Sequence, residues 1–170
     1  MEHSERLRYE PLDHSHAEGL LASLDDERVG RYINGPDVTT LEALETRIQF
    51  LAAGHSPSNP EEQWVNVVVL RRDDDVVLGR VEATVLDERA EIAYLFGPSF
   101  WGQGYATEAT RWLIDHLRAR FDVQQIWASI HHENVASQRL VERVGLRRVP
   151  PPTPALMSYD DGDVVFLLEV

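Results

Sequence analysis

Phe100-Trp101-Gly102-Gln103-Gly104-Tyr105-Ala106-Thr107-Glu108-Ala109 is the stretch on which the reading of this chain turns. It follows a strand-like apolar run and opens a long segment of helical periodicity. Two glycines ahead of a helix let the backbone turn tightly and come close to a ligand. The first turn of a helix leaves N–H groups unpaired and carries about half a positive charge. Together these features make a phosphate site. The spacing is not that of the dinucleotide fingerprint, because Thr107 stands where a third glycine would be. It is not a P-loop either, because the lysine is missing.

That absence is general: the chain has no lysine, and all 16 of its basic residues are arginine. A lysine Schiff base is therefore excluded. There is no cysteine, which excludes disulfides, thiol nucleophiles and cysteine-ligated metals. A cysteine-free chain agrees with a reducing compartment, and a cytoplasmic location is expected. The net charge of −13 argues against nucleic acid as a partner. The charge is uneven: residues 101–148 carry seven Arg against five acids, and the remainder nine Arg against 24 acids. An anionic ligand would sit most comfortably in the first of these regions. No apolar run approaches the ~20 residues that cross a bilayer, so no membrane partner is expected. Met1 to Arg8 is charged and lacks the apolar core of a signal peptide. The 170 residues fit one domain, 1–170.

Outward from the glycine loop the pattern alternates between periods. Leu7 to Leu12 reads as a strand. Asp13 can cap a helix through Leu24, and Thr39 with Glu42 forms a capping box for a second helix through Leu51. Strands follow at 64–71, 76–86 and 90–96, the middle one with Val81, Ala83 and Val85 on one face and Arg80, Glu82 and Thr84 on the other. A helix runs from Gly104 to Arg120, a strand from Gln125 to His131, a helix from Asn134 to Val144, and strands at 146–149 and 164–170. Pro150 to Pro154 holds four prolines and cannot be a paired central strand. The order describes an α+β fold: a mixed central sheet, mostly antiparallel, flanked by about four helices. The helical crossover before Gln125 should make one pair parallel.

The glycine segment resembles the pyrophosphate loop of the GNAT acetyltransferases, whose pattern is Gln/Arg-x-x-Gly-x-Gly/Ala. Trp101 to Ala106 lies on it, with Gly104 and Ala106 matching and Trp101 departing from the first position. The wording around it is similar to the ribosomal-protein N-acetyltransferase branch (RimJ/RimL type), where an aromatic commonly stands there. A second segment, Asn134 to Leu146, is similar to that family's Asn-x-x-Ser-x-x-Leu-x-x-Lys-x-Gly-Phe, with Arg143 for Lys and Leu146 for Phe. The resemblance implies a splayed parallel strand pair and acetyl-CoA (coenzyme A) as cofactor. Its expected contacts are Leu95, Phe96, Gly97, Trp101, Gly102, Gln103, Gly104, Tyr105, Ala106, Thr107, Asn134, Ser137, Arg139 and Arg143, with Arg111 as a further candidate for the 3′-phosphate.

The resemblance further implies that Ser137 protonates the departing thiolate. Many members use a tyrosine one residue after the Leu of the second motif, and here that place is Val141. Amides near Leu95, Phe96 and Gly97 correspond to the family's oxyanion hole. An amine is mostly protonated at neutral pH, so a base is needed, and Glu82 is preferred over Glu91. His131 is a distant third. Adjacent His131 and His132 are expected to point opposite ways, His14 and His16 to be exposed, and no metal to bind. Tyr32, Ile33 and Asn34 precede a loop expected to line the acceptor pocket, and the proline run is expected to shape that pocket or the edge of a homodimer. The implied activity is transfer of acetyl to a primary amine, either a protein N-terminal α-amine or a small molecule, by direct attack in a ternary complex. The alternatives are a non-catalytic acyl-CoA-binding sensor or scaffold, an acetyltransferase for antibiotics or polyamines, and a nucleotide-binding module.

Overall fold

The computed structural model describes residues 2–33 and 40–170. Its strands are β1 (Glu2–His3), β2 (Leu7–Pro11), β3 (Gln63–Arg71), β4 (Val77–Leu86), β5 (Arg89–Phe96), β6 (Gln125–Ile130), β7 (Arg147–Val149) and β8 (Val164–Glu169). The helices are α1 (Ala17–Leu24), α2 (Leu41–Leu51), α3 (Tyr105–Arg120) and α4 (Val135–Arg143). The strands form one sheet in the order β1-β2-β3-β4-β5-β6-β8-β7. Every pairing in it is antiparallel except β5 with β6.

Period decides which face each element buries. Tyr105, Ala109, Leu113 and Leu117 recur every fourth residue of α3 and are all buried. They pack with Val81, Ala83 and Val85 of β4 and with Leu140 and Val141 of α4 in the main core. The opposite face of the sheet is covered in two pieces. Leu20, Leu24, Leu44 and Ile48 of α1 and α2 close over Val68 and Leu70. Leu156 and Tyr159, from the segment after the prolines, close over Trp127 and Val165. Each fully buried leucine or isoleucine contributes about 1.5–3 kcal/mol.

Several local expectations change. A two-residue strand, β1, pairs with β2, too short to leave a period in the sequence. Asp13 does cap, accepting from the Ser15 amide, but the helical turn it starts is a 3-10 turn at His14–His16 that precedes α1. Thr39 and Asn34 lie outside the described residues; the observed cap of α2 is Thr40, whose hydroxyl accepts from the Ala43 amide. His14 is exposed, but His16 is buried: its Nδ1 accepts from the Asp13 amide and its Nε2 meets Glu10 at 2.9 Å.

The sheet is split at its parallel pair. β5 and β6 are in register only through Arg89, Ala90 and Glu91, opposite Gln125, Ile126 and Trp127. Beyond that point β5 stays paired with β4 as far as Phe96, and β6 stays paired with β8 as far as Ile130. Each strand keeps its outer neighbour and loses its inner one, so a wedge opens between residues 92–96 and 128–130.

Candidate active site

Strand alternation determines which backbone groups face the wedge. The Gly97 amide donates to the Leu78 carbonyl at 3.0 Å, so Gly97 points toward β4. Leu95, two residues earlier, points the same way, while Phe96 and Tyr94 point into the wedge. Of the three residues expected to offer amides, only Phe96 therefore has its backbone directed there. Leu95 and Gly97 are committed to β4, and Tyr94 is an addition that the motif did not reveal. The Phe96 carbonyl is capped by the indole Nε1–H of Trp101 at 2.6 Å.

The glycine loop stands at the mouth of this wedge. Gly102 and Gly104 have φ of 74° and 82°, a left-handed conformation that costs other residues about 1–2 kcal/mol. Gly104 is the N-cap of α3 and supplies no side-chain cap. Among the described residues, the amides of 102–107 donate to no protein acceptor; the first amide bonded back is that of Glu108, to the Gly104 carbonyl. These unpaired donors sit at the positive end of a 16-residue helix. Gln103 turns its side-chain amide onto the Ser99 carbonyl at 2.9 Å, away from this row.

Arg6, which no motif singles out, reaches the loop from the β1–β2 turn. Its Nε donates to Glu108 Oε2 and its Nη1 to the Gln103 carbonyl, and its guanidinium lies 4.5 Å from the centre of the Tyr105 ring. A recess of about 570 Å³ opens beside it, lined in part by Arg6, Gly104, Thr107, Arg111 and Arg143. Arg111 Nη2 lies 3.5 Å from the Arg143 carbonyl. Arg139 is exposed and is not part of this lining.

On the α4 side, Asn134 Oδ1 accepts from the Ser137 amide at 3.1 Å, the capping role its place predicts. Ser137 Oγ lies 2.5 Å from the Tyr94 hydroxyl. Burial pushes the Tyr94 phenol up to about 12, against the opposing pull of its hydrogen bond to Ser137. Tyr94 and its neighbour Ala93 lie on opposite faces of β5, so Ser137 flanks one face of the sheet beside the wedge and Glu82, in register with Ala93, flanks the other.

Both candidate bases are engaged by the protein. Glu82 Oε1 lies 2.8 Å from Nε of the buried Arg80 and 3.9 Å from Nη2 of Arg47. Glu91 accepts from the Met157 amide, the Ser158 amide and the Ser158 hydroxyl. His131 and His132 do not diverge: their rings stack at 4.5 Å, because β6 ends at Ile130 and alternation ends with it. Tyr32 packs 5.4 Å from His131. Among the described residues no group of three or more His, Asp or Glu could hold a metal ion. None of the described helices is long and apolar enough to cross a membrane.

The fold is that of solved acetyltransferases. RimL, a ribosomal L7/L12 alpha-N-protein acetyltransferase solved with coenzyme A, superposes with a TM-score of 0.79 at 19% identity, over 98% of this chain and 96% of that one. At that identity the likeness is one of fold. In sequence, the uncharacterized N-acetyltransferase p20 of Bacillus licheniformis is 26% identical over 149 residues, 86% of this chain and 82% of the relative. The ribosomal protein bS18 alanine N-acetyltransferase of Haemophilus ducreyi is 29% identical over 92 residues, 54% of this chain and 62% of the relative. Residues 6–147 match the acetyltransferase (GNAT) domain family. The chain belongs to that family and is an N-acetyltransferase, and the enzymes of this family use acetyl-CoA.

Proposed function

We propose that residues 1–170 form one domain that transfers acetyl from acetyl-CoA to a primary amine, either a protein N-terminal α-amine or a small-molecule amine, within a ternary complex. The observation that carries this reading is a pair of backbone stretches, one in the glycine loop and one facing the wedge at the end of β5, whose amides find no protein acceptor among the described residues. The amides of 102–107 suit a diphosphate, and the wedge-facing backbone of Tyr94 and Phe96 suits the amide-bearing arm that would follow it. Arg6, Arg111 and Arg143 suit a phosphate beside that helix end. Bound there, the cofactor supplies an activated acetyl thioester.

The chain's own groups divide the remaining work. The Phe96 amide is the assigned donor to the thioester oxygen as charge develops on it, worth about 2.7–4 kcal/mol where such donors have been removed. Ser137 is the assigned hydrogen-bond donor to the departing sulfur. Glu82, on the opposite face, is the assigned base for the amine, directly or through water. Glu91 holds the 157–158 backbone instead. With no cysteine to form an acyl-enzyme thioester, direct attack between two reactants held side by side is the favoured route.

The deciding experiment measures thiol release from acetyl-CoA against a panel of peptides, polyamines and aminoglycosides, with product masses and calorimetry for coenzyme A. Turnover with an amine carrying one added acetyl is expected. Tight cofactor binding without turnover on any amine would favour a sensor or scaffold, and no association with coenzyme A would end the proposal.

A further inference from the structure

Ser137 does not act from an isolated position. The Tyr94 hydroxyl lies 2.5 Å from Ser137 Oγ and 3.3 Å from the Ser137 carbonyl oxygen. The two residues come from different elements, the stretch of β5 bordering the wedge and the first turn of α4. Each is fixed independently of the other. Ser137 is held by the Asn134 cap. The Tyr94 ring packs against the core beneath α3 and α4.

The burial that raises the Tyr94 phenol keeps it protonated at any physiological pH. A tyrosine hydroxyl has one proton to donate, and among the described residues the acceptors within reach are both on Ser137, Oγ being the nearer. A serine hydroxyl that accepts from the core side keeps its own proton free to turn outward.

We propose that Tyr94 is a positioning residue: its O–H donates to Ser137 Oγ and so aims the Ser137 proton at the sulfur that leaves in the wedge. This rests on the role given to Ser137 above. Val141 occupies the place where a tyrosine of α4 would stand, and in this chain a phenol enters from β5 instead.

The bonds balance as follows. The amine nitrogen bonds to the acetyl carbon, the carbon–sulfur bond breaks, and its electron pair stays on sulfur. A thiol ordinarily titrates near 8.5, well below this phenol, so neither hydroxyl gives up its proton to the thiolate for good. The pair stabilises the thiolate by a chain of two hydrogen bonds. The proton that finally restores the thiol is the one released from the nitrogen as the amide forms, returned through the base and solvent.

The test compares Tyr94→Phe, Ser137→Ala and the double variant in kcat, KM for acetyl-CoA and calorimetric affinity for coenzyme A, with thermal melts alongside. Y94F is expected to lower kcat by about the worth of one hydrogen bond, roughly tenfold, at unchanged coenzyme A affinity. The double variant is expected to be no slower than S137A. Losses that multiply, or Y94F at the parent kcat, overturn the proposal. So does Y94F slower than S137A, which would put the phenol itself on sulfur. S137A at the parent rate with intact coenzyme A binding overturns the Ser137 role as well, whereas a parent that binds no coenzyme A overturns the whole reading of the site. Should Y94F melt early, 3,5-difluorotyrosine at position 94 keeps the ring. Its more acidic phenol is expected to add an alkaline limb to the kcat profile, because a phenolate cannot donate. No new limb overturns the proposal.

Discussion

Arg6 and Glu108, 102 residues apart, are joined twice: the Arg6 amide donates to Glu108 Oε1 and the Arg6 Nε to Oε2, each at 2.8 Å. Ser4 Oγ donates to the same carboxylate at 2.6 Å. The turn between β1 and β2 is thereby fastened to the first turn of α3, and a carboxylate that would repel an anion at the helix end is neutralised.

Glu108→Gln should therefore destabilise the protein by about 1–2 kcal/mol at neutral pH, since it leaves donors imperfectly paired. Burial raises the Glu108 carboxyl, but the bonds from Ser4 and Arg6 and the charge of Arg6 together hold it below the ordinary carboxylate value. A depressed acid stabilises the fold above its unfolded pKa, and that stability is lost as pH falls through the folded pKa. Urea titrations should show the gap between parent and E108Q full at pH 7 and closing on acidification below about pH 4.5. A gap independent of pH would mean that the carboxylate charge is not what fastens the turn.

Gly79 sets the end of β5 from beneath. With φ of 158°, its added Cβ would lie 2.0 Å from the Leu95 carbonyl oxygen and 2.8 Å from the Phe96 Cα. Backbone cannot yield as a side-chain tip can. Gly79→Ala is expected to cost about 3 kcal/mol and to displace the Phe96 backbone from the wedge. Gly54→Ala is the control: its Cβ meets nothing within 4 Å, so only strain from its φ of 71° remains, about 1–2 kcal/mol. Thermal melts and coenzyme A calorimetry on both check this; equal losses would remove Gly79 from the site's construction.

Arg111 and Arg143 line the recess at the helix end and Arg139 does not. Alanine at 111 or 143 should weaken coenzyme A about tenfold, the worth of one charge-assisted contact. The same variants should leave 3′-dephospho-coenzyme A nearly unaffected, and R139A should leave both unchanged. Affinity for coenzyme A in the parent should also fall more steeply with salt than in R111A or R143A. Equal losses for both ligands would place these arginines elsewhere on the cofactor.

What could be read from the sequence was what is local. Gly102 and Gly104 announce left-handed backbone, Asn134 announces a cap, and the fourfold spacing from Tyr105 to Leu117 announces a buried helix face, each within a few residues. The crossover helix likewise implied the parallel pair. The contacts that organise the site are not local. Tyr94 meets Ser137 across 43 residues, Arg6 meets Glu108 across 102, and Glu91 meets Ser158 across 67. The backbone of Leu95 and Gly97 turns toward β4 rather than the wedge because facing depends on strand phase, which a motif does not carry. His131 and His132 stack rather than diverge because β6, and with it strand alternation, ends at Ile130.

Glu82 and Glu91 lie on the same sheet face, yet their partners assign them different work. Glu91 accepts three hydrogen bonds from residues 157 and 158, so it fixes a loop. Glu91→Gln should lower stability by about 1–2 kcal/mol and speed hydrogen exchange at the Met157 and Ser158 amides, with kcat little changed. Glu82 is paired with Arg80 and lies near Arg47, at the middle of the face between the two covering layers. Glu82→Gln should lower kcat/KM about 100-fold where the amine is protonated. The loss should shrink as pH rises past about 8 for an α-amine, because the free amine then needs no base. A pH series on both variants with one peptide acceptor separates the roles. A large, pH-dependent loss in E91Q with none in E82Q would exchange them, and the acceptor would then approach from the Met157 side of the wedge.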